Sequence, residues 1–229
     1  MNNDWRLAFM FDARDGNLSS MEKHLNQSAE LILRIVGDAR VRIGVVDTHP
    51  DLSVLHEIGR TVDGALEISV AATRVRELPN IAKALREPLQ PICATATLEV
   101  MTGPFFPIVP VQQGDVFLSL AFRREQGTTS EEFRNWWLRQ HSGIATPVLG
   151  ELLLAYDQVH VDQVASESAA LAFGVEVVHY DAYDNLTWAN RDAFFQSISN
   201  QVEMARIQAD EVGRIDVSSR RTGLMRRIY

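Results

Sequence analysis

The sequence lacks most features of disulfide-stabilised, membrane-spanning or nucleic-acid-binding proteins. Cys93 is the only cysteine in 229 residues, which excludes an internal disulfide and, with a start (MNNDWRLAF) unlike a secretory signal, favours the cytoplasm. No apolar run approaches the roughly 20 residues that span a bilayer, so no membrane association is expected. The net charge of -8 argues against nucleic acid as a partner. Four arginines near the end are expected at a solvated edge, with contact to an anionic group or a partner subunit as the alternative: Arg220, Arg221, Arg226 and Arg227.

Several catalytic signatures are also missing. The sequence has no glycine-rich phosphate loop, no Gly-x-Ser-x-Gly turn and no cysteine in a nucleophile motif, which disfavours nucleotide and nicotinamide chemistry. Asp47, His49, Asp51 and His56 have the side chains of a divalent-metal site, but their spacing fits no familiar ligand signature. We therefore expect no metal and no cofactor.

Hydrophobic periodicity in the first half predicts a β-α-β-β-α-β order. The predicted strands are Trp5–Phe11, Ala39–Val46, Leu66–Ala72 and Cys93–Met101. Two helices are predicted. The first starts at a Ser19 or Ser20 cap and ends at Gly37, and the second covers 78–89. Residues 47–64 are a predicted loop that has room for a short helical turn.

The same order is predicted to repeat after the proline-rich segment 104–114, which we interpret as a linker. The predicted strands are Asp115–Arg123, Leu152–Val161, Phe173–Asp181 and a poorly marked one within 213–229. The predicted helices cover 128–144 and 190–210, the latter with an apolar stripe of Phe194, Ile198, Val202 and Ala205.

This repeat predicts an α+β protein of two ferredoxin-like modules, residues 1–103 and 115–229. Each ferredoxin-like sheet carries helices on one face only, so its other face must be covered. We expect the two sheets to cover each other and to curl into a pseudo-symmetric barrel around an apolar pocket.

The segment 128–144 combines a helix start with a candidate catalytic histidine. Thr129 and Glu132 have the spacing of a capping box. Phe133, Trp137 and His141 follow at four-residue intervals, which places them on one side of the helix. Because histidine can give and take a proton near neutral pH, proton transfer is the chemistry to test. A structural alternative is an imidazolium at the negative end of the helix dipole.

A polar row is predicted on the strand that follows. Tyr156, Gln158 and His160 alternate and therefore share one face of the strand. Inside a cavity, these side chains would orient a substrate and stabilise charge on its oxygen; on a solvent-facing strand they would be ordinary. On the next predicted strand, Tyr180 and Glu176 share one face and His179 takes the other.

Three stretches together resemble the EthD family of dimeric α+β barrel proteins. They are 123-RREQGTTSEEFRNWWLRQH-141, 156-YDQVHV-161 and 209-ADEVGRIDVSS-219. The residues that match the family pattern are Gly127, Glu131, Glu132, Phe133, Trp137, His141, Tyr156 and His160. The resemblance covers the second half and implies the same barrel fold.

The sequence departs from the family at one motif. Family members often carry Asp-Gly, and an acidic residue three positions further on, at the start of the third strand. The second half has Phe173-Gly174 at the expected place, whereas Asp63, Gly64 and Glu67 in the first half fit the pattern. We infer a duplicated and diverged pair of modules with one working pocket.

The resemblance implies cofactor-independent acid-base chemistry, a dehydratase-like or decarboxylase-like lyase step on a small aromatic or polyketide-like molecule. His141, Tyr156 and His160 would be catalytic, and the substrate-binding residues would be Phe133, Trp137, Gln158, Tyr180 and Glu67. The alternatives are a cofactor-independent monooxygenase acting on a phenol and a binding protein without turnover. Haem stays open, because related barrels ligate it through one histidine, and exposed sheet edges allow a homodimer.

Overall fold

Strands from both halves of the chain close into one barrel. The computed structural model describes residues 4–55, 59–110 and 112–229. Its strands are β1 Trp5–Phe11, β2 Arg40–Val46, β3 Arg60–Thr61, β4 Gly64–Val70, β5 Glu99–Val109, β6 Val116–Arg124, β7 Leu153–His160, β8 Ala182–Trp188 and β9 Ile215–Arg227. The order β2-β4-β1-β5-β7-β8-β6-β9 is antiparallel throughout, and β9 pairs back to β2. The short β3 pairs in parallel with β9.

Each half of the chain supplies four barrel strands in the ferredoxin-like order, β5-β1-β4-β2 and β9-β6-β8-β7. The helices are α1 Leu18–Val36, α2 Leu78–Ala84, α3 Arg86–Leu89, α4 Ser130–Asn135, α5 Ser142–Leu149, α6 Gln163–Phe173, α7 Arg191–Ile198 and α8 Gln201–Glu211. A π-helical segment, Trp136–His141, joins α4 to α5. The predicted barrel of two fused ferredoxin-like modules is therefore confirmed. Within the described ranges, no helix has the length and apolar character needed to cross a bilayer.

Capping residues account for the ends of two helices. The side chain of Asn17 accepts a hydrogen bond from the Ser20 amide at the start of α1, and Gly37, with φ 67°, ends this helix. The predicted capping box of α4 is present. Thr129 Oγ1 accepts from the Glu132 amide at 3.2 Å, and the Glu132 carboxylate accepts from the Thr129 amide at 2.9 Å.

The predicted strand Phe173–Asp181 is wrong. The helix α6 runs from its cap Asp162 to Phe173 and ends at Gly174 with φ 93°, and the residues 174–181 that follow form no regular element. Val175 and Val177 supply the alternation that resembles a strand, but they lie in an irregular segment and pack against the core of the first module. The third strand of the second module is β8, further along the chain.

The strand β5 lies further along the chain than the predicted strand Cys93–Met101 and extends into the predicted linker 104–114. Pro107 lies at a bulge where the pairing with β7 shifts register, a position that tolerates the missing amide hydrogen. The linker is therefore shorter than predicted, because β5 supplies the edge that joins the first module to the second.

Two predicted helices are each divided in the structure. Segment 78–89 forms α2 and α3, and segment 190–210 forms α7 and α8. Asn200 starts a new helix because its side chain caps the first turn of α8. This restart rotates the apolar face, so Val202 is 75% exposed and Ile207 is buried. The predicted stripe therefore holds only in α7.

Alternate residues of each strand face either the barrel interior or the helices. In β1, Phe9 packs with α1 in the helix-side core, whereas Ala8 belongs to the interior cluster. In β7, Val159 belongs to the interior cluster, so the neighbouring row of Tyr156, Gln158 and His160 lies under the helices. The shared face of this row is as predicted, but it does not line the barrel interior.

Side chains fill the barrel interior. Met10, Met101 and Phe117 form part of an apolar cluster there, and Glu67 accepts a hydrogen bond from Asn185 Nδ2 at 2.5 Å. An eight-stranded barrel has an interior just wide enough for its own side chains. The expectation of an apolar pocket between the two sheets is therefore wrong.

A buried ion pair joins the two modules inside the barrel. Arg6 Nη2 donates to Asp157 Oδ2 at 2.9 Å, and Arg6 Nη1 lies 3.5 Å from Glu67 Oε2. Solvent reaches little of these three side chains, which are 4%, 0% and 2% exposed. Among the described residues, loss of Arg6 would leave Arg42, 3.4 Å from Glu67 and 4.0 Å from Asp157, as the one remaining cation for these two buried carboxylates.

We expect Arg6→Met to lower the free energy of unfolding by about 3–5 kcal/mol, because it leaves buried charges uncompensated. Urea denaturation measures this change. Arg40→Met is the control, since Arg40 is 61% exposed and pairs with the exposed Asp4 at 3.2 Å. The control should lose less than about 1 kcal/mol. Equal losses in the two variants would contradict the importance of the buried pair.

Candidate active site

A cavity of about 130 Å³ lies between the sheet of the second module and helices α5, α7 and α8. Its walls are mainly apolar and include Leu118, Leu120, Leu149, Leu186, Trp188 and Phe194. Leu55 of the first module also lines it. An engineered apolar cavity of about 150 Å³ binds benzene, so this space suits a molecule of about one ring.

A larger cleft of about 490 Å³ opens beside β2. Its walls carry Arg6, Arg40, Arg42 and Arg227, and Arg42 lies 3.4 Å from the Glu67 carboxylate. Ligand sites usually combine an apolar wall with a few convergent polar groups. The smaller cavity has this composition and the charged cleft does not, so the smaller cavity is the candidate site.

His141 lines the cavity from the π-helical segment. Its side chain is buried, as its position on the apolar side of the helix predicted. The helix continues directly into α5, so His141 does not lie at a helix end and the dipole interpretation is wrong. Short π-helical turns are rare in proteins, and those that occur are often at functional sites.

Asp210 on α8 holds the His141 ring in place. Its Oδ2 lies 3.0 Å from His141 Nδ1, and its Oδ1 accepts from Trp136 Nε1 at 3.2 Å and from Gln140 Nε2 at 2.7 Å. An ionised carboxylate only accepts hydrogen bonds, so Nδ1 carries a proton and Nε2 is the nitrogen left for a ligand. Asp210 lies in the 209–219 stretch, but sequence reasoning did not pair it with His141.

Tyr156 on β7 lines the same cavity. Its hydroxyl accepts from Gln158 Nε2 at 2.8 Å, and the same amide donates to the Trp137 carbonyl at 2.9 Å. Burial raises the pKa of Tyr156 well above its ordinary value, and the Asp184 carboxyl raises it further. Tyr156 therefore keeps its proton, which it can donate to a neighbouring oxygen.

Asp184 on β8 also lines the cavity and was missed because the strand that carries it was predicted too early. It is 4% exposed, and its Oδ1 forms no hydrogen bond to any residue that the structure describes. Burial raises the pKa of Asp184 well above its ordinary value, Glu211 raises it further and Arg220 opposes this. Burial and the neighbouring Glu211 charge therefore favour the un-ionised form of this carboxyl.

Arg220 and Glu211 form an ion pair at the cavity wall. Arg220 Nη2 donates to Glu211 Oε2 at 2.6 Å, while Arg220 Nε has no hydrogen-bond partner in the described part of the chain. Arg221 is buried too and pairs with Asp12 at 3.2 Å. The expected solvated edge is therefore wrong for these two arginines, because carboxylates from other elements pair with them.

Three predicted site residues on the helix side lie outside the cavity. His160 stacks between Trp137 and Phe106, with ring centroids 5.0 and 4.5 Å away. Burial and the charge of Arg134 lower the pKa of His160 to about 4, so its ring is neutral. Phe133 packs with Trp137 in a separate core cluster. The structure thus assigns packing contacts to His160, Trp137 and Phe133.

Glu67 and Tyr180, both predicted to bind substrate, lie on the other side of the sheet. Glu67 is inside the barrel, where Tyr183 and Asn185 donate to its carboxylate. Tyr180 belongs to the interior cluster, and its hydroxyl donates to Glu99 Oε1 at 2.8 Å. Strand alternation turns Glu67 into the barrel, and Tyr180 packs into the same interior from the irregular segment before β8, so neither lines the cavity.

The loop with metal-type side chains does not assemble a metal centre in the part described. Asp47 pairs with Arg191 at 3.2 Å, and His49 lies 3.5 Å from Asp51. His56 lies outside the described residues. Across the described ranges, no group of three or more histidine, cysteine or acidic side chains could hold a metal ion.

Several solved structures share the fold of this chain. A candidate monooxygenase from Lactobacillus acidophilus has a TM-score of 0.53 at 10% identity, over 98% of this chain and 94% of its own. A candidate chlorite dismutase has a TM-score of 0.60 at 8% identity, over 100% and 96%. A haem-binding protein from Thermus thermophilus has a TM-score of 0.55 at 10% identity, over 100% and 92%. The fold is that of a dimeric α+β barrel protein.

Residues 125–218 match the EthD domain family. The match includes His141, Tyr156, Asp184 and Asp210, and leaves Arg220 just outside. No curated protein sequence matches this chain significantly. The resemblance of the second half to the EthD family is therefore confirmed over residues 125–218.

The raised pKa of Asp184 predicts a pH-dependent effect of Asp184→Asn. The folded protein holds this proton more tightly than the unfolded chain, so Asp184 makes wild-type stability fall as pH rises above about 3.9. Asparagine has no proton to lose. We expect the free energy of unfolding of the variant, minus that of wild type, to increase from about pH 5 to pH 8.

Urea denaturation at several pH values measures this difference. Asp192→Asn, which changes an exposed carboxyl on α7, is the control and should follow the pH dependence of wild type. A difference for Asp184→Asn that stays constant over this pH range would show that the Asp184 carboxyl is ionised in the folded protein.

Proposed function

We propose that this protein catalyses cofactor-independent acid-base chemistry on a small hydrophobic molecule. The reaction would be a lyase step, such as a dehydration or decarboxylation of an aromatic or polyketide-like compound. The supporting observation is the His141–Asp210 pair at the wall of a largely apolar cavity. An EthD domain in this fold is consistent with a catalytic or ligand-binding role.

In this proposal, His141 is the group that removes a proton from the substrate. Asp210 fixes the ring through Nδ1 and stabilises the imidazolium that forms when Nε2 takes the proton. A positioned side chain that transfers a proton contributes about 10²–10⁴-fold to a rate. Asp210 would be a positioning residue, because it acts through the histidine.

Tyr156 would hold the substrate oxygen. Its hydroxyl keeps its proton and is fixed by Gln158, which is itself bonded to the backbone of the π-helical segment. A fixed donor costs no reorganisation when negative charge develops on the oxygen, so it stabilises the transition state. Gln158 would thus act through Tyr156 and not by contacting the substrate.

Haem does not fit the described residues of the cavity. The volume of about 130 Å³ is below the range of about 300–1,000 Å³ for pockets that bury drug-sized ligands, and haem is larger than most of those ligands. Although a protein with a similar fold is described as haem-binding, we derive no step through haem. The cavity size favours a small substrate.

We expect hemin added to the purified protein to give the same absorption spectrum as hemin in buffer. The cavity is too small to admit the macrocycle, so His141 cannot reach its iron. Titration followed at the Soret band measures binding, with His141→Ala as the matched variant. A Soret shift in wild type that the variant lacks would show that His141 binds haem and that the cavity admits it.

His141→Ala is expected to abolish base catalysis while the protein stays folded. Exchange of the acidic C–H of nitroethane with D2O, followed by NMR, reports proton removal without knowledge of the natural substrate. We expect a loss of about 10²-fold or more in exchange rate. His179→Ala is the control, because His179 is exposed and bonded to Gln163.

Asp210→Asn tests the positioning role. It should lower the exchange rate at saturating nitroethane and leave the concentration for half-maximal rate unchanged, since Asp210 does not line the cavity. If wild type does not accelerate exchange, the proposed function is wrong and a binding protein without turnover is favoured. Oxygen uptake with a phenolic substrate would instead favour the monooxygenase.

A further inference from the structure

The cavity places polar groups at one end and apolar groups at the other. Asp184, Leu186 and Trp188 face the cavity in that order along β8. Successive residues on one face of a strand are about 7 Å apart. Arg220 and Glu211 lie on the polar side, since both charges act on Asp184. A ligand that fills this space therefore needs a polar head and an apolar body.

Asp184 is an expensive residue to bury in this position. A buried polar atom without a partner costs about 1–3 kcal/mol, and native proteins rarely leave one. Two such atoms belong to neighbouring groups of the cavity wall, Asp184 Oδ1 and Arg220 Nε. Ligand oxygens within reach of these atoms would satisfy them, because an un-ionised carboxyl and a guanidinium nitrogen each donate a hydrogen bond.

His141 and Asp184 approach the cavity from opposite layers. His141 belongs to the helix layer, whereas Asp184 belongs to the sheet. A molecule held between the two layers would contact a base on one side and a carboxylic acid on the other. This is the arrangement that enolisation of a carbonyl compound requires, since one proton leaves carbon and another is added to oxygen.

We infer that Asp184 donates a proton to the carbonyl oxygen of the substrate, and that the substrate is a β-hydroxycarbonyl compound which loses water. This inference rests on the proposed acid-base function and adds its acid and its substrate class. Asp184 is then a catalytic residue, and Arg220 Nε donates a second hydrogen bond to the same oxygen.

The reaction balances without a cofactor. His141 Nε2 takes the proton from the carbon next to the carbonyl, the C–H electrons form a C=C bond, and the carbonyl oxygen takes the proton of Asp184 to give an enol. The imidazolium then protonates the β-hydroxyl group, which leaves as water. The enol returns its proton to Asp184 as the C=O bond reforms, so both side chains recover their starting states.

Hydrogen exchange of two probes in D2O tests the role of Asp184. Cyclohexanone needs an acid at its carbonyl oxygen, whereas nitroethane forms a stable anion and needs only a base. Asp184→Asn should slow cyclohexanone exchange by about 10²-fold and nitroethane exchange by less than about threefold. Glu99→Gln, a buried carboxyl in the barrel interior with a raised pKa, should leave both rates unchanged.

An infrared band gives a second readout. Wild type at pH 8 should show a carboxylic-acid C=O band that Asp184→Asn lacks and that shifts when cyclohexanone binds. Absence of an Asp184-dependent band, or equal cyclohexanone exchange in wild type and Asp184→Asn, would overturn the inference and leave the base role of His141 standing. Absence of nitroethane exchange in wild type would instead remove the proposed function, and the inference with it.

Discussion

Closure of the sheet through the β2–β9 and β5–β7 pairings constrains the whole molecule. A closed sheet sends every second side chain into a narrow interior and the others under the helices. The interior accepts Glu67 and Asp157 because two arginines, Arg6 and Arg42, balance their charges. The mainly apolar cavity lies on the helix side, where His141 and Tyr156 both line it.

Much of the fold could be predicted from the sequence, because local signals coincide with the final elements. The periodicity of β1 and the capping box of Thr129 and Glu132 involve near neighbours and depend little on the rest of the chain. The strand predicted at Phe173–Asp181 failed for the opposite reason. Its alternating valines, Val175 and Val177, are partly buried against the core of the first module, so tertiary packing and not strand pairing accounts for them.

The candidate site was only partly predictable. His141 and Tyr156 belong to local motifs, whereas packing between distant segments brings Asp184 to the cavity and Asp210 to the His141 ring. A period-two pattern states which residues share a face but not which side the face is on. This is why His160 was expected in a pocket and instead packs against Trp137.

The two modules differ at the positions that make the cavity polar. The strand registers place three pairs of residues at equivalent positions: Val41 and Tyr156, Ile43 and Gln158, Leu66 and Asp184. In the first module these side chains belong to, or pack against, one continuous apolar core. In the first module, aliphatic side chains therefore occupy the positions that carry polar groups in the second, and their burial has no desolvation penalty. A carboxyl at the position of Leu66 must lose its hydration without a full set of partners. Stability alone would favour leucine in both copies, so the acid in the second module argues for selection by a ligand.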